Sequence, residues 1–422
     1  MTSTVYIAKT VYGGDGLGRL GDGRVVFVPG AWAGENVKAE IVEEKKHFVK
    51  ARLVEIVEAS PDRIDGGEVA KVPGCVYATL SPKGEAAAKE AQLREFFERA
   101  RLTVPSFSTL NPQPSTLNPQ LSTLNSQLST LNSQLSYRNK VVYHFARQGG
   151  RWAIGYRAEP SHEIVDIERD PLAVKPINDK LPEIRKAVVQ LLTTGPEAVR
   201  RDIAAKGNVT VRWTAKTGVK WWVGDAPKGM VLKETTLGRD FEVPADGFYQ
   251  VNPAVGEELV RAVVDEYAKG AAHAGNILDL YCGVGVFGLC CLAAPGPAGR
   301  ERKLIGIESG RQAIDFAKRN AAVQKLEAKF FAEQVGRNLR QIKVGEHTTV
   351  VVDPPRGGME PNVPAWLAES KAPRIFYVSC DPATLTRDLK TICRSYDIES
   401  VRWFNMFPRT ARFETLVVLK KR

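Results

Sequence analysis

The sequence predicts an α/β chain. Helices and the strands of a mostly parallel sheet alternate in the carboxyl-terminal half, a small β-barrel opens the chain, and an α+β domain lies between them. Three observations carry this. At 422 residues the chain exceeds one ordinary core. Residues 1–58 alternate apolar and polar positions around glycines. From about Pro244 onward, short apolar runs are separated by stretches with helical spacing.

Val25–Val28, Glu35–Val42 and Val49–Val57 read as barrel strands, and Gly13, Gly14, Gly16, Gly18, Gly21 and Gly23 as turns. Lys38, Lys45, Lys46, His47, Lys50 and Arg52 add positive charge, and small barrels of this kind often bind oligonucleotides. Pro61–Pro73 reads as a linker and Glu85–Arg101 as an amphipathic helix. Residues 102–136 contain no charged side chain. Within them, S-T-L-N-P-Q-P, S-T-L-N-P-Q-L and two copies of S-T-L-N-S-Q-L fill 108–135, a seven-residue repeat. Its prolines and lack of charge argue against a coiled coil and for a disordered insertion. Beyond it, Arg138, Lys140, Arg147, Arg151 and Arg157 interleave with Tyr137, Tyr143, Trp152 and Tyr156, a mixture that can stack bases and neutralise phosphates. The domain limits expected are 1–58, 72–243 with the insertion at 102–136, and 244–422.

In the carboxyl-terminal half, Ile277–Leu280 runs into Tyr281-Cys282-Gly283-Val284-Gly285-Val286-Phe287-Gly288, a turn whose glycines let a ligand approach the backbone. Leu304–Glu308 is a second strand, ending in an acid about 20 residues or more further on, where an acid can hold ribose hydroxyls. No Walker lysine follows, which disfavours a nucleotide triphosphate. These elements alone leave dinucleotide and S-adenosylmethionine both open. Val350–Val352 ends in Asp353-Pro354-Pro355-Arg356-Gly357. Ile375–Val378 ends in Ser379-Cys380-Asp381-Pro382, so Cys380 sits after a strand and before a helix, where a helix N-terminus favours a thiolate. Phe413–Leu419 is the final strand, with Glu414 near its start.

Net charge is +11, with Lys+Arg 59 against Asp+Glu 48, which suits a polyanionic partner such as nucleic acid. The six cysteines form no C-x-x-C pair, so neither a zinc site nor a disulfide scaffold is expected. The amino terminus lacks an apolar signal core, and the most apolar stretch, Ile277–Pro295, contains Asp279 and three glycines. A cytoplasmic monomer without a membrane segment is expected.

Phe248-Tyr249-Gln250-Val251-Asn252, D-L-Y-C-G-V-G, Gly306-Ile307-Glu308, D-P-P-R-G, S-C-D-P-A-T-L and Phe407-Pro408 followed by Glu414 occur in order across the last half. This half resembles the RNA (uracil-5-)-methyltransferase family. Tyr137–Lys140 and Ser161–Asp166 extend the likeness into the middle domain, and Gly13–Pro29 with Glu35–Val37 resembles the TRAM domain of RNA-modifying enzymes. The resemblance implies a Rossmann-like methyltransferase domain, an OB-like barrel, S-adenosyl-L-methionine as cofactor, and transfer or ribosomal RNA as substrate. It also implies Cys380 as nucleophile and Glu414 as base. Gln250, Tyr281, Gly283, Gly285, Glu308 and Asp353 are implied around the cofactor.

The expected reaction methylates carbon 5 of uridine through a covalent Cys380 adduct. Carbon-5 methylation of cytosine, and RNA binding by a degenerate site, are the alternatives. Some family members hold an iron–sulfur cluster on four cysteines. Here Cys75 is the only cysteine between 1 and 281, and Asp170 stands where the last ligand would be, so no cluster and no metal is expected. Arginines occupy positions 409 and 412 near the base. Extended backbone puts Arg412 and Glu414 on one face, where the guanidinium would weaken the base or grip a phosphate.

Overall fold

The computed structural model of the chain describes residues 2–110, 135–158, 161–269, 275–295, 302–337 and 339–422. Strands β1 (Thr2–Thr10), β2 (Asp15–Arg19), β3 (Val25–Pro29), β4 (Asn36–Glu44) and β5 (Phe48–Glu58) close a barrel in the order β1-β2-β3-β5-β4. Alternate residues Val5 and Ile7, Val26 and Val28, Val37 and Ala39, and Val49 and Ala51 fill its interior, as the two-residue period of a strand requires. Gly16 and Gly18, read as turn residues, lie inside β2. A Cβ there would stand 2.6 Å from the Ala31 carbonyl oxygen and 2.5 Å from that of Tyr6, so these glycines serve close packing.

The expected basic face of the barrel is not a free one. Residues 1–58 hold eight Lys and Arg against eight Asp and Glu. Lys38 pairs with Glu55 at 2.8 Å, Lys45 and Lys50 with Glu43 at 2.7 and 3.1 Å, and Arg52 with Glu40. The stretch read as a linker is docked as well: Arg63 binds buried Glu35 at 2.6 Å and donates to the Gly30 carbonyl at 2.7 Å.

Helix α1 (Pro82–Arg99) starts at Ser81, whose hydroxyl accepts from the Gly84 amide at 3.0 Å. Strand β6 (Phe107–Leu110) follows, and its last three residues are the first three of the repeat. The rest of the repeat, from 111 to 134, lies outside the described residues, and so does the expectation of disorder there.

The middle of the chain forms an antiparallel sheet in the order β11-β10-β7-β8-β9, from β7 (Lys140–Gln148), β8 (Arg151–Arg157), β9 (Ile164–Asp166), β10 (Asn208–Thr214) and β11 (Gly218–Val223). Helix α2 (Lys175–Thr194) lays Ile177, Leu181, Ile184, Val188 and Leu192 into this sheet's core, the three-to-four spacing of one helical face; α3 (Glu197–Lys206) follows it. Tyr143 is buried in that core and Trp152, Tyr156, Trp213 and Trp221 pack against it, so these rings are structural. A hairpin of β12 (Val231–Thr236) and β13 (Arg239–Pro244) leads onward.

The last sheet contains β14 (Asn276–Leu280), β15 (Leu304–Glu308), β16 (Ala328–Ala332), β17 (Thr348–Val352), β18 (Arg374–Ser379), β19 (Tyr396–Phe404) and β20 (Glu414–Lys421), with β6 at one edge. Its order is β16-β15-β14-β17-β18-β20-β19-β6, and all neighbours are parallel except those of β20. Strand β17 is buried throughout, as expected for a strand covered on both faces. On one face lie α4 (Pro253–Lys269), α5 (Val286–Ala293) and α6 (Arg311–Val323); on the other lie α7 (Val363–Glu369), α8 (Pro382–Ile392) and the Leu93–Phe97 face of α1. Because β20 runs against its neighbours, its first residue shares an edge with the last residues of β14, β17 and β18. Among the described residues no helix is long and apolar enough to cross a membrane.

Candidate active site

The order of β14, β15 and β17 reverses direction at β14, and the crevice beyond the carboxyl ends of such strands is where α/β sheets bind ligands. The turn after β14 is built for close approach. Gly283 and Gly285 have φ of +53° and +88°, and a Cβ on Gly283 would meet nothing within 4 Å. Asp279, buried in β14, accepts from the Gly288 amide at 2.8 Å and fixes the start of α5. Its other oxygen is buried without a partner among the described residues, and burial pushes its carboxyl up to about 8. The Tyr281 hydroxyl donates to Glu360. Glu308 ends β15 and takes the Gly310 amide at 2.7 Å on Oε1.

Gln250 lies on the loop after β13, and its Oε1 is buried with no partner among the described residues. Arg212 shapes that loop, donating to the carbonyls of Ala245 and Gly247 at 3.2 and 3.1 Å while its charge is met by Glu234. Beside Gln250 the Phe248 ring is 73% exposed.

Asp353 follows β17, its amide donating to the Leu280 carbonyl, and burial pushes its carboxyl up to about 7. Cys380 follows β18. The pairing of Ser379 with Thr415 sets it opposite Glu414 on the neighbouring strand. Glu414 is 4% exposed. Burial holds its carboxyl well above the usual range, Asp353 adds to the effect, and Arg356 opposes it.

Two expectations are corrected here. The Cys380 thiol is pushed up to about 12, by burial first and then by Glu414 and Asp353, with Arg356 pulling the other way. The helix N-terminus does not offset this, because Asp381 Oδ1 takes the amides of Ala383 and Thr384 at 3.0 and 3.1 Å. Arg412 turns away from Glu414 and pairs with Asp381 Oδ2 at 3.3 Å. Arg409 is buried and donates to the Leu80 carbonyl at 2.6 Å, so it grips the protein's own backbone.

Asp170 accepts from Tyr143 and Tyr156 at 2.9 and 2.7 Å, and Cys75 is a buried free thiol. Among the described residues no three His, Cys, Asp or Glu side chains converge as a metal site.

Comparison with known proteins decides the family. The family model for tRNA (uracil-5-)-methyltransferase matches residues 235–422 and that for the TRAM domain matches 2–54, together more than half of the chain. Residues 235–422 carry the domain of the tRNA (uracil-5-)-methyltransferase family. The family comprises S-adenosylmethionine-dependent RNA-methylating enzymes. An uncharacterized RNA methyltransferase of Thermotoga maritima is 28% identical over 471 residues, covering 100% of this chain and 99% of its own. One of Aquifex aeolicus is 28% identical over 460 residues, covering 98% and 97%. The fold matches that of the Pyrococcus abyssi tRNA (uracil-54, C5)-methyltransferase, solved with S-adenosyl-L-homocysteine, at a TM-score of 0.71, with 22% identity over 99% of this chain and 100% of that one.

Within this methyltransferase, Gly283, Gly285, Glu308, Asp353, Cys380 and Glu414 all lie along one sheet edge, and Gln250 lies on the loop after β13. Sequence reasoning passed over Asp279, Arg356 and Asp381. The last had a readable signal, since Asp before Pro at the first helical position marks an N-cap.

Proposed function

We propose that this enzyme transfers the methyl group of S-adenosylmethionine to carbon 5 of a uridine in transfer or ribosomal RNA through a covalent adduct with Cys380. The observation that carries this is the apposition of Cys380 and Glu414 on adjacent strands beside the glycine turn. The unpartnered buried oxygens of Gln250 and Asp279 and the open Gly283 backbone fit a polar, cationic cofactor. Gln250, Tyr281, Gly283, Gly285, Glu308 and Asp353 would hold it, and it supplies an electrophilic methyl group.

Carbon 5 of uracil is a weak nucleophile. The Cys380 thiolate adds to carbon 6 and the ring electrons move onto the carbonyl oxygen, which makes carbon 5 nucleophilic; a bound sulfonium donor would supply the methyl group there, its carbon–sulfur bond breaking to leave a neutral thioether. The Glu414 carboxylate then removes the carbon 5 proton; the released pair re-forms the double bond and expels the Cys380 sulfur. Burial and the neighbouring acids favour the protonated forms of Cys380 and Glu414, whereas the cycle needs each to lose a proton. Positive charge brought into this acidic crevice favours that loss. The target base must leave its stack or come from a loop, and the exposed Phe248 ring offers it, or a neighbouring base, a stacking surface. A cytoplasmic monomer divided near residues 58, 72 and 244 completes the proposal.

The test is a denaturing gel with RNA and S-adenosylmethionine. Glu414→Gln adds and methylates, then stalls as a covalent protein–RNA band, since a base contributes roughly 10²- to 10⁴-fold to elimination. Cys380→Ala gives no band. A band with Cys380→Ala removes the nucleophile from this scheme, and nucleoside analysis yielding 5-methylcytidine in place of 5-methyluridine refutes the substrate.

A further inference from the structure

Tyr12 sits in the turn after β1, remote in sequence from the loops of the active site and touching both. Its ring stands edge-on to Phe96 of α1, centroids 5.4 Å apart, and to Phe413 at 6.1 Å, the residue before Glu414. Its hydroxyl lies 3.3 Å from Asp381 Oδ2, and Arg412 Nη1 donates to it at 3.0 Å. Burial and the charge of Asp381 push the phenol up to about 12, so at neutral pH it keeps its proton and donates it to Asp381 while accepting from Arg412. Asp381 follows Cys380 directly and caps α8 with its other oxygen. Arg412 lies two residues before Glu414. Behind Tyr12, buried Gln92 of α1 donates to the carbonyls of Thr10 and Val11 at 3.2 and 3.1 Å and fixes the turn.

We propose that Tyr12 is a positioning residue for methyl transfer: a side chain of the barrel clamps the segment carrying Cys380 to the segment carrying Glu414. The proposal rests on the reading of those two residues as nucleophile and base. The Arg412–Asp381 pair alone is a weak tie, because an ion pair with one half-exposed partner contributes little. The phenol shields that pair and gives both partners a further, directional contact. The barrel thus belongs to the geometry of the reaction, in addition to any part it has in holding RNA.

Tyr12→Phe in the full chain keeps both ring contacts and removes the hydroxyl. The expected result is a kcat about 10- to 100-fold lower, the range a displacement of about 1 Å produces, with KM for RNA, KM for S-adenosylmethionine and the melting temperature unchanged. In a Glu414→Gln background the covalent band forms more slowly by a similar factor. Adding Tyr12→Phe to Asp381→Asn lowers kcat no further than Asp381→Asn alone, because both break one clamp. Arg412→Met, which leaves the phenol in place, gives an independent arm with the same fall in kcat. An unchanged kcat overturns the proposal. So does a rise confined to KM for RNA, which marks a substrate contact, or a loss of rate that follows a lowered melting temperature. If the unaltered enzyme makes neither 5-methyluridine nor adduct, it is the reading of nucleophile and base that falls first, and the clamp falls with it.

Discussion

Arg356 is the positive charge set against the acids around Cys380 and Glu414. Below a group's pKa its ionised fraction rises tenfold per pH unit, so a thiol held high predicts a rate of adduct formation that climbs with pH through the neutral range. Arg356→Gln removes the opposing charge and raises both groups further. Single-turnover rates at neutral pH should fall about tenfold, as one pKa unit implies, and the deficit should be recovered at a correspondingly higher pH. Superimposable pH–rate profiles for the two proteins would show that Arg356 does not tune the site. At this scale the sequence was readable where the cause is local. The glycine turn, the acid ending β15 and the cysteine between strand and helix each follow from neighbours in the chain. The high thiol was unreadable because it comes from burial and from Glu414 on another strand. The partner of Arg412 was unreadable because Tyr12 lies 400 residues away.

Helix α1 shows the same limit for an element. Its periodicity located a buried face, and Leu93 and Phe97 do cover the carboxyl-terminal sheet. The same face also buries charge: Lys89 Nζ donates to Glu85 at 2.7 Å and to Asn405 Oδ1 at 2.7 Å, both carboxylate oxygens of Glu85 accept the Arg409 amide, and the ion pair is fully buried. This cluster pins the loop from Asn405 to Arg409 that leads to Glu414. Lys89→Met leaves Glu85 without its cation and should cost about 3–5 kcal/mol, while adding Glu85→Gln should restore part of that, because a neutral pair needs less compensation. Urea unfolding of the single and double variants measures both. A loss below about 1 kcal/mol for Lys89→Met would make the pair no more important than a surface one. Strand β6 was missed for a different reason: its residues look like the repeat that follows, and only pairing with β19 makes them a strand.

Across the whole molecule, positive charge is unevenly placed. The barrel is balanced and its lysines are largely paired, whereas residues 137–243 hold nineteen Lys and Arg against thirteen Asp and Glu. Arg147, Arg151, Arg157 and Lys220 are exposed there and form no ion pair among the described residues. Replacing the three arginines with Gln should lower the salt dependence of RNA binding by roughly 0.7 to 0.9 in slope for each phosphate left without its cation. An unchanged slope would mean that the RNA backbone runs elsewhere. The barrel, the middle sheet and the alternating half were legible from periodicity and glycine placement, but the way α1 and β6 cross to the last sheet was not, because nothing local records it. That crossing gives the repeat an arithmetic. The edge strand takes Phe107 and the Ser-Thr-Leu that begins the first unit, and the same three letters recur at 115, 122 and 129. If a copying error drops or adds a whole unit, Phe107 is still followed by Ser-Thr-Leu. A deletion of one to six residues that starts at Ser108 alters the letters beside it. The rim of the catalytic sheet is thus written in a phase of seven, and is indifferent to how many sevens there are.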